Sequence, residues 1–247
     1  MSQLDLACEA DISSRHLSFL ETGRSLPSRE MITRLAEQLG IPLRERNVML
    51  VAAGYAPVFP ERPLEDPALR AAREAVGLVL KGHEPYPALA IDRHWTLAAA
   101  NEAATRLLAG VDASLLQPPI NVLRLSLHPE GLAPQIANFA EWRSHLLARL
   151  RQQIELTADH SLTELLQELS DYRLPEGAGK PPPERETAGV VVPFQLITEG
   201  GILSFISTTT VFGTPVDVTL SELAIESFFP ADPATAKALR RLADEHV

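Results

Sequence analysis

The chain has 247 residues, of which 45% are hydrophobic and 22% are charged, and its formal net charge is −10 at pH 7. This length is enough for two modest domains, and the single cysteine, Cys8, excludes an internal disulfide and a cysteine-based zinc site. No apolar run reaches the roughly 20 residues of a membrane span, and no secretory signal opens the sequence, so we expect a cytoplasmic protein. The acidic balance argues against broad nucleic-acid binding but leaves a small DNA-binding surface open.

Three capped helical segments at the N-terminus form the most informative pattern. Ser2 is a natural N-cap for a helix over Gln3–Glu9, and residues 13–21 form a second capped helix after a tight turn. Ser28 caps a third helix. Helix, turn and helix in this order are typical of a DNA-binding helix-turn-helix, so residues 1–56 are predicted to form a DNA-binding domain.

A proline-rich stretch separates this region from the rest of the chain. Residues 57–67 contain four prolines and are predicted to be an interdomain linker. The second domain, residues 68–247, opens with apolar residues at helical spacing up to Lys81, which predict a connector helix. This helix either packs against its own domain or serves as a rigid connector or a dimer surface.

Strand signals lie at both ends of the second domain. Two short strands are predicted at 88–91 and 95–100, and helical patterns follow them. Three further strands are predicted at 190–198, 202–212 and 216–229, the first two separated by a glycine turn. This order predicts an α+β fold with an antiparallel sheet, helices on one face and room for a pocket between them.

Several separated blocks of the sequence resemble known regulators. Residues 2–53, which include the block LSFLETG, resemble the lambda-repressor-like (XRE) helix-turn-helix family. The whole chain, through blocks such as EPYPALAIDRHWTLAAAN and INVLRLSLHPEGL, resembles MmyB-like XRE regulators, which are bacterial proteins. The resemblance implies an all-α lambda-repressor-like domain followed by a PAS-like ligand-binding domain, an antiparallel sheet with helices on one face.

The resemblance places the second predicted helix in the major groove of DNA. It implies base contacts by Ser14, Arg15 and Phe19 and phosphate contacts by Gln3, Ser13 and Thr22, with a further charge contact by Arg24. Arg15 is suited to the O6 and N7 atoms of guanine, whereas contacts to phosphates orient the protein without reading sequence. The alternative for Arg15 is a solvated surface arginine, and the alternative for Phe19 is a place in the core.

The resemblance also implies a small, largely apolar effector, and a fatty-acid-like molecule is plausible; no other cofactor is expected. The expected ligand-binding residues are Asn121, Arg124, Trp142, Arg143, Phe194, Phe205 and Thr208. An arginine beside an apolar cavity can hold a carboxylate by a charge-assisted hydrogen bond. The alternative for Arg124 is a structural salt bridge or a cap on a buried loop, and the alternative for Trp142 is the core.

A catalytic role has little in its favour. The block Asp92-Arg93-His94-Trp95 lies in a predicted hairpin turn, where polar residues are common. No nucleophile elbow, zinc motif or glycine-rich phosphate loop accompanies it. We therefore predict a non-enzymatic, ligand-responsive transcription regulator that acts as a homodimer on a double-stranded DNA operator, with a small-molecule effector and no metal or membrane partner.

One departure from the family leaves a second function open. The family has a further helix before the position of Ser2, whereas here Met1 stands directly against the second helix of the family pattern. Without a preceding helix, the bundle is expected to have an open apolar face around Leu4, Leu17 and Leu35. The alternative prediction is a ligand-binding module whose DNA binding is impaired by a truncated helix-turn-helix.

Overall fold

The computed structural model describes residues 2–175, 192–213 and 215–244. The chain divides into two compact units. Unit 1 comprises Met1–Arg70 together with Phe212–Glu222, and unit 2 comprises Ala71–Val211 together with Leu223–Val247. The chain therefore passes between the units three times, and we call residues 212–222 the crossover segment.

The described residues form α-helices in both units and strands in unit 2. The helices are α1 Gln3–Glu9, α2 Ser14–Glu21, α3 Arg29–Gln38, α4 Leu43–Ala52, α5 Arg70–Gly82, α6 Glu102–Arg106, α7 Val122–Leu127, α8 Phe139–Thr157, α9 His160–Asp171, α10 Val218–Ser221 and α11 Pro233–Asp244. The strands are β1 Ala88–Ile91, β2 Leu97–Ala100, β3 Phe194–Thr198, β4 Gly201–Val211 and β5 Ala224–Pro230. Of these elements, α1–α4 and α10 belong to unit 1.

Local sequence signals determine where the first helices begin and end. Ser2, Ser13 and Ser28 are the N-caps of α1, α2 and α3, and each side chain accepts a hydrogen bond from a backbone N–H of the first turn. Such a serine stabilises a helix by about 1 kcal/mol relative to alanine. Gly40 follows α3 with a φ of 63°, which glycine adopts without strain. The predicted helical pattern of this region is confirmed.

The core of unit 1 is small. Ala7, Leu17, Ile32 and Leu50 are buried within it. Of the residues expected to form an open apolar face, Leu4 is 68% exposed, whereas Leu17 is buried, and α1 buries Ala7. With so few large apolar side chains in the core, interactions at the margins of unit 1 matter for its stability.

The crossover segment is tied to the proline-rich stretch of unit 1 by hydrogen bonds. Asp217 is only 1% exposed, and its carboxylate binds the guanidinium of Arg62 at 3.0 Å. The N–H of Val218 donates to the carbonyl of Pro60 at 2.9 Å. A buried carboxylate is stable only when it is paired, so this ion pair fixes the segment in place.

Arg44 on α4 makes a second link to the crossover segment. Its guanidinium binds both carboxylate oxygens of Glu222 at 2.7 and 3.0 Å and both oxygens of Glu61 at 2.6 and 3.0 Å. The hydrogen bonds with Glu222, together with those with Glu61, raise the pKa of Arg44, whereas burial opposes this shift. One side chain thus joins α4, the proline-rich stretch and the crossover segment.

The last predicted strand is wrong in its first half. The pattern predicts a strand over 216–229, whereas Val218–Ser221 form α10 and β5 begins at Ala224. Asp217 caps α10 by accepting a hydrogen bond from the N–H of Thr219 at 2.9 Å. The placement of this stretch in unit 1, rather than its β-branched composition, decides its conformation.

Unit 2 is built on a five-stranded antiparallel sheet with the order β2-β1-β5-β4-β3. Although β5 is the last strand in the sequence, it lies at the centre, with Ala90 of β1 opposite Ile225 and Thr208 of β4 opposite Ser227. Together with the packed helices, this arrangement is the α+β fold with an antiparallel sheet that the sequence predicts.

The core of unit 2 joins the sheet to α8 and α9. Trp142, Leu146 and Leu150 lie four residues apart on α8 and are buried. On the sheet, Leu196 and Phe205 are almost completely buried and belong to the same cluster. Burial of each large apolar side chain stabilises the fold by roughly 1.5–3 kcal/mol, so this cluster holds the helices on the sheet.

Candidate DNA-binding surface and ligand cavity

Two exposed arginines, Arg15 on α2 and Arg24 just after it, lie beside one aromatic ring. The guanidinium of Arg15 lies 5.3 Å from the ring centroid of Phe19, and that of Arg24 lies 6.0 Å from it. Ser14 and Arg15 are exposed, and Phe19 is half-buried. Neither arginine forms an ion pair with a described side chain. This surface therefore presents two guanidinium groups to which an external anion or base edge has access.

The residues predicted to contact phosphates are exposed but take part in local hydrogen bonds. The Gln3 amide donates to the carboxylate of Glu21 at 2.5 Å, and the Thr22 hydroxyl donates to the carbonyl of Ser18 at 2.7 Å. The Ser13 hydroxyl accepts the hydrogen bond that caps α2. The structure thus brings Gln3 to the C-terminal end of α2, where its amide is hydrogen-bonded to the Glu21 carboxylate.

A cavity of about 100 Å³ lies within unit 2. All five strands and the helices α6, α7 and α8 contribute side chains to its wall. Almost all of these side chains are apolar; Ser126 and Glu226 are the exceptions among the described lining residues. An apolar cavity with few polar groups is the usual form of a small-molecule site.

Three of the predicted ligand-binding residues line this cavity. Trp142, Phe194 and Phe205 form a continuous aromatic group, with ring centroids 5.1 Å apart for the first pair and 5.9 Å apart for the second. Phe228 extends the group, 5.9 Å from Phe194. The three residues are also part of the core. Trp142 is therefore both a core residue and a lining residue of the cavity, so its two predicted roles do not exclude each other.

The other predicted ligand-binding residues do not line the cavity. Asn121 caps α7 by accepting from the N–H groups of Leu123 and Arg124, and its amide donates to the carbonyl of His94 at 2.8 Å. Thr208 is exposed on β4. Asn121 therefore shapes the backbone beside the cavity, and Thr208 lies on the exposed part of the sheet.

The two predicted arginines have partners within the protein. Arg124 binds both oxygens of Glu168, at 2.8 and 2.7 Å, which is the salt-bridge arrangement weighed as its alternative role. Arg143 donates to the carbonyls of Leu169 and Ser170 at the end of α9, at 3.3 and 2.8 Å. Burial lowers the pKa of Arg143. In this structure both side chains hold α9 against its neighbours.

The charged residue among the described lining residues, Glu226, is one that the sequence reasoning missed. Glu226 on β5 is 5% exposed, and its carboxylate binds Arg149 of α8 at 2.8 Å. The guanidinium of Arg149 also lies 4.7 Å from the ring centroid of Trp95, another lining residue. The sequence pattern could have indicated this position, because Ala224, Glu226 and Phe228 recur at every second residue and so share one face of the strand.

The block at 92–95 forms a turn. The Asp92 carboxylate accepts from the N–H groups of His94 and Thr96, both at 2.8 Å. The ring of His94 and the guanidinium of Arg93 both contact Asp159, at 3.0 and 3.3 Å. These contacts tie the turn to the N-cap of α9 and account for the polar groups that invite a catalytic interpretation.

The described residues offer neither a metal site nor a membrane-spanning helix. They contain no group of three or more His, Cys, Asp or Glu side chains that is arranged to hold a metal ion. They also contain no helix that is both long and apolar enough to cross a lipid bilayer. Among the described residues, the surface formed by Arg15, Phe19 and Arg24 and the cavity of unit 2 are therefore the candidate sites.

Comparison with protein families agrees with both features. A family described as the MmyB-like transcription regulator ligand binding domain matches residues 72–242, and a helix-turn-helix family matches residues 1–46. No individual curated protein matches the chain. The first match covers most of the sequence and contains the cavity, and the second contains α2. The chain therefore belongs to the MmyB-like transcription regulators, with an XRE-type helix-turn-helix at its N-terminus.

Proposed function

We propose that this protein regulates transcription by binding DNA through unit 1 and by responding to a small molecule held in the cavity of unit 2. The observation that carries the proposal is the apolar cavity inside the region that matches a ligand-binding family, in one chain with a helix-turn-helix. Both matched regions are regulator domains. The function is thus binding and coupling rather than turnover of a substrate.

On the DNA side, Arg15 reads a guanine and its neighbours orient the protein. Arg15 is exposed near the N-terminal end of α2 and has no ion-pair partner among the described residues, which supports a base contact. A bidentate arginine–guanine contact discriminates between bases by about 1–3 kcal/mol. Ser14 and Phe19 contact neighbouring bases, and the phosphate contacts come from Gln3, Ser13, Thr22 and Arg24.

On the ligand side, the effector is small, largely apolar and fatty-acid-like in its chain. The aromatic group of Trp142, Phe194 and Phe205 supports this assignment, since an alkyl chain buried against it gains about 0.8 kcal/mol for each methylene. Asn121, Arg124, Arg143 and Thr208 act indirectly, through the backbone and helices around the cavity.

The crossover segment is the route by which ligand occupancy reaches the DNA-binding unit. Phe205 of β4 and Phe228 of β5 both line the cavity, and the chain between these strands folds with α4 in unit 1. A ligand that favours one spacing of the two strands biases the crossover segment, and through Arg44 it biases α4. Coupling of this kind requires that the ligand bind the two arrangements with different affinity.

The protein acts as a homodimer on a palindromic operator. On α5, Val76 and Leu80 are buried, whereas Leu78 and Val79 are 73% and 50% exposed. An exposed apolar pair on a helix whose other face is packed supports its use as a dimer surface. Two recognition helices related by a two-fold axis then meet half-sites one helical turn apart.

The DNA-binding half of the proposal is tested by fluorescence anisotropy with the native upstream DNA, with and without a lipid extract. Arg15→Gln is expected to weaken binding about tenfold or more, because a bidentate base contact is lost. Arg151→Gln, at an exposed arginine on α8, is the matched control and should leave affinity unchanged. Absence of binding to any upstream DNA by the wild-type protein, with or without extract, would refute the proposal.

The second candidate function is a ligand-binding module with weakened DNA binding, which acts through a partner protein. The exposure of Leu4 and the small core of unit 1 favour it, because a loosely held α2 presents its side chains imprecisely. The two candidates differ in the same assay. The second one predicts ligand binding to the cavity with no measurable affinity for upstream DNA.

A further inference from the structure

Tyr55 connects the end of α4 to the loop of residues 22–28, which we call the α2–α3 loop. Gly54, with a φ of 85°, follows α4, and the N–H of Tyr55 donates to the carbonyl of Leu50 at 2.8 Å. This glycine-terminated pattern fixes the direction in which the chain leaves a helix. The half-buried side chain of Tyr55 then donates from its hydroxyl to the carbonyl of Pro27 at 3.1 Å. Tyr55 thereby fastens the α2–α3 loop to α4.

The ring of Tyr55 also lies beside an arginine whose charge is not neutralised. The guanidinium of Arg29 is 5.9 Å from the ring centroid. Arg29 is exposed, and its guanidinium forms no ion pair or hydrogen bond with the residues that the structure describes. An aromatic face attracts a guanidinium but leaves its charge in place. Tyr55 therefore restricts the position of Arg29 while its N–H donors stay accessible to an external anion.

The place of Arg29 in the sequence is unfavourable for α3 itself. Arg29 is the first residue of this helix, directly after the N-cap Ser28. The N-terminus of a helix carries a partial positive charge, which repels a cation. Helix stability thus gives no reason for an arginine at this position. An anion outside the protein does, and for a helix-turn-helix region that anion is a DNA phosphate.

We infer that Tyr55 is a positioning residue for DNA binding, which holds the α2–α3 loop and the Arg29 guanidinium so that Arg29 contacts a phosphate of the operator. This inference rests on the proposed binding of DNA by unit 1 and adds one phosphate contact to it. The same loop carries Arg24, whose guanidinium lies 6.0 Å from the ring centroid of Phe19 on α2. The loop that Tyr55 fastens therefore leads from one DNA-facing arginine to the next.

The salt dependence of DNA binding counts phosphate contacts and therefore tests this role. The slope of log affinity against log salt concentration changes by about 0.9 for each phosphate contact on B-DNA. Fluorescence anisotropy with the full-length protein and the native upstream DNA gives this slope between about 50 and 200 mM salt. Arg29→Gln should make the slope shallower by about 0.9, so that the loss of affinity over this range becomes about 3.5-fold smaller.

Two substitutions of Tyr55 separate its ring from its hydroxyl. Tyr55→Leu removes both contacts, so we expect at least half of the change in slope that Arg29→Gln produces. Tyr55→Phe keeps the ring beside Arg29 and loses the hydrogen bond to Pro27, so it should keep the wild-type slope and lose part of the affinity. Combined with Arg29→Gln, Tyr55→Leu should change the slope no further, because no arginine remains to be positioned.

Phe59→Leu is the matched control. Phe59 is another half-buried ring of unit 1, and the guanidinium of Arg46 lies 5.8 Å from its centroid. It belongs to the proline-rich stretch and makes no described hydrogen bond or ring contact with the α2–α3 loop. A general weakening of unit 1 would affect both variants, whereas the slope of Phe59→Leu should equal that of the wild type.

The outcomes separate the inference from the function on which it rests. If the wild type binds no upstream DNA at any salt concentration, both fail. If it binds and Arg29→Gln keeps the wild-type slope, the phosphate contact is overturned and DNA binding stands. A wild-type slope in Tyr55→Leu, beside a changed slope in Arg29→Gln, would overturn the positioning role. Should Tyr55→Leu not fold, an equal loss of affinity from Tyr55→Phe with and without Arg29→Gln would overturn it instead.

Discussion

At the scale of single residues, several polar side chains of unit 2 have a partner that holds one helix against another. Arg124 shows this most clearly, because its guanidinium binds both oxygens of Glu168. The hydroxyl of Tyr172 donates to the same carboxylate. The contact joins α7 to α9 across 44 residues of sequence. A role of this kind is visible as a change in stability rather than as a change in ligand affinity.

The Arg124–Glu168 pair predicts a pH dependence of stability. The hydrogen bond from Arg124 lowers the pKa of Glu168 below its ordinary value of 4.5. A carboxyl group whose pKa is lowered by folding stabilises the folded state above its unfolded pKa, and this contribution is lost as the pH falls through the folded pKa. Because the two side chains are 42% and 37% exposed, we expect at most about 1 kcal/mol.

Glu168→Gln removes this contribution and therefore isolates it. Urea unfolding should show a gap in free energy between wild type and variant that is largest near neutral pH and closes below the ordinary pKa of 4.5. The midpoint urea concentration at each pH is the measurement. A gap of constant size across the whole range would contradict the prediction.

At the scale of elements, the crossover segment makes α4 depend on residues far along the chain. Arg44 lies 178 residues before Glu222, and their side chains are only 24% and 18% exposed. Arg44→Gln leaves both carboxylates without their shared cation. We expect it to destabilise unit 1 by roughly 1–3 kcal/mol, as is usual for lost hydrogen bonds between charged groups.

The same substitution tests whether the crossover segment carries the coupling. With Arg44→Gln, the change in DNA affinity caused by a cavity ligand should shrink several-fold, because α4 no longer follows the segment. Arg46→Gln is the control, since Arg46 lies on the same helix and binds the carbonyl of Ile41 at 2.6 Å instead. Equal coupling in wild type and Arg44→Gln, measured by anisotropy with and without the lipid extract, would refute this route.

Local features of the fold follow from short stretches of sequence, whereas the tertiary ones do not. Ser2, Ser13 and Ser28 cap helices within their own first turns, so neighbouring residues suffice to predict them. The strand predicted over 216–229 fails in its first half, because Asp217 is buried against Arg62, 155 residues away. Nothing in the period-two pattern of that stretch contains information about such a partner.

The residues of the candidate site also differ in whether the neighbouring sequence predicts them. Phe194 and Phe205 are predicted because they lie on predicted strands, where aromatic residues are common and can line the wall of a cavity. Glu226 lies on an equally regular face, but its importance depends on Arg149, which α8 brings to it from 77 residues away. Spacing in the sequence indicates which face a side chain occupies, and the partner that makes a buried charge tolerable is set by packing.

At the scale of the whole molecule, unit 1 is not a continuous piece of sequence. A fragment of residues 1–70 lacks the bonds from Asp217, Val218 and Glu222. We expect its helices to unfold at a lower temperature than in the full chain, by about 5 °C or more, since a loss of 1 kcal/mol shifts a domain of this size by that amount. Hydrogen exchange of the α4 amides in both proteins, followed as the temperature is raised, is the measurement.

A peptide of residues 212–222 added to the fragment provides the control for this prediction. It restores the missing partners in trans, so protection of α4 should rise with peptide concentration. A peptide with Asp217→Asn and Glu222→Gln should restore less. Equal protection of α4 in the fragment and in the full chain would show that the crossover segment contributes nothing to unit 1.

Because unit 1 is built from two separate segments of the sequence, evolution cannot replace it by exchanging one segment alone. If recombination exchanged residues 1–56 for those of a relative, the new α4 would meet crossover residues inherited from the old parent. Arg44 and Glu222 would then be compatible only by chance, although they lie 178 residues apart. Positions 44, 61 and 222 are therefore expected to vary together among related sequences. DNA-binding specificity should diverge through substitutions on α2 rather than by replacement of the whole DNA-binding domain.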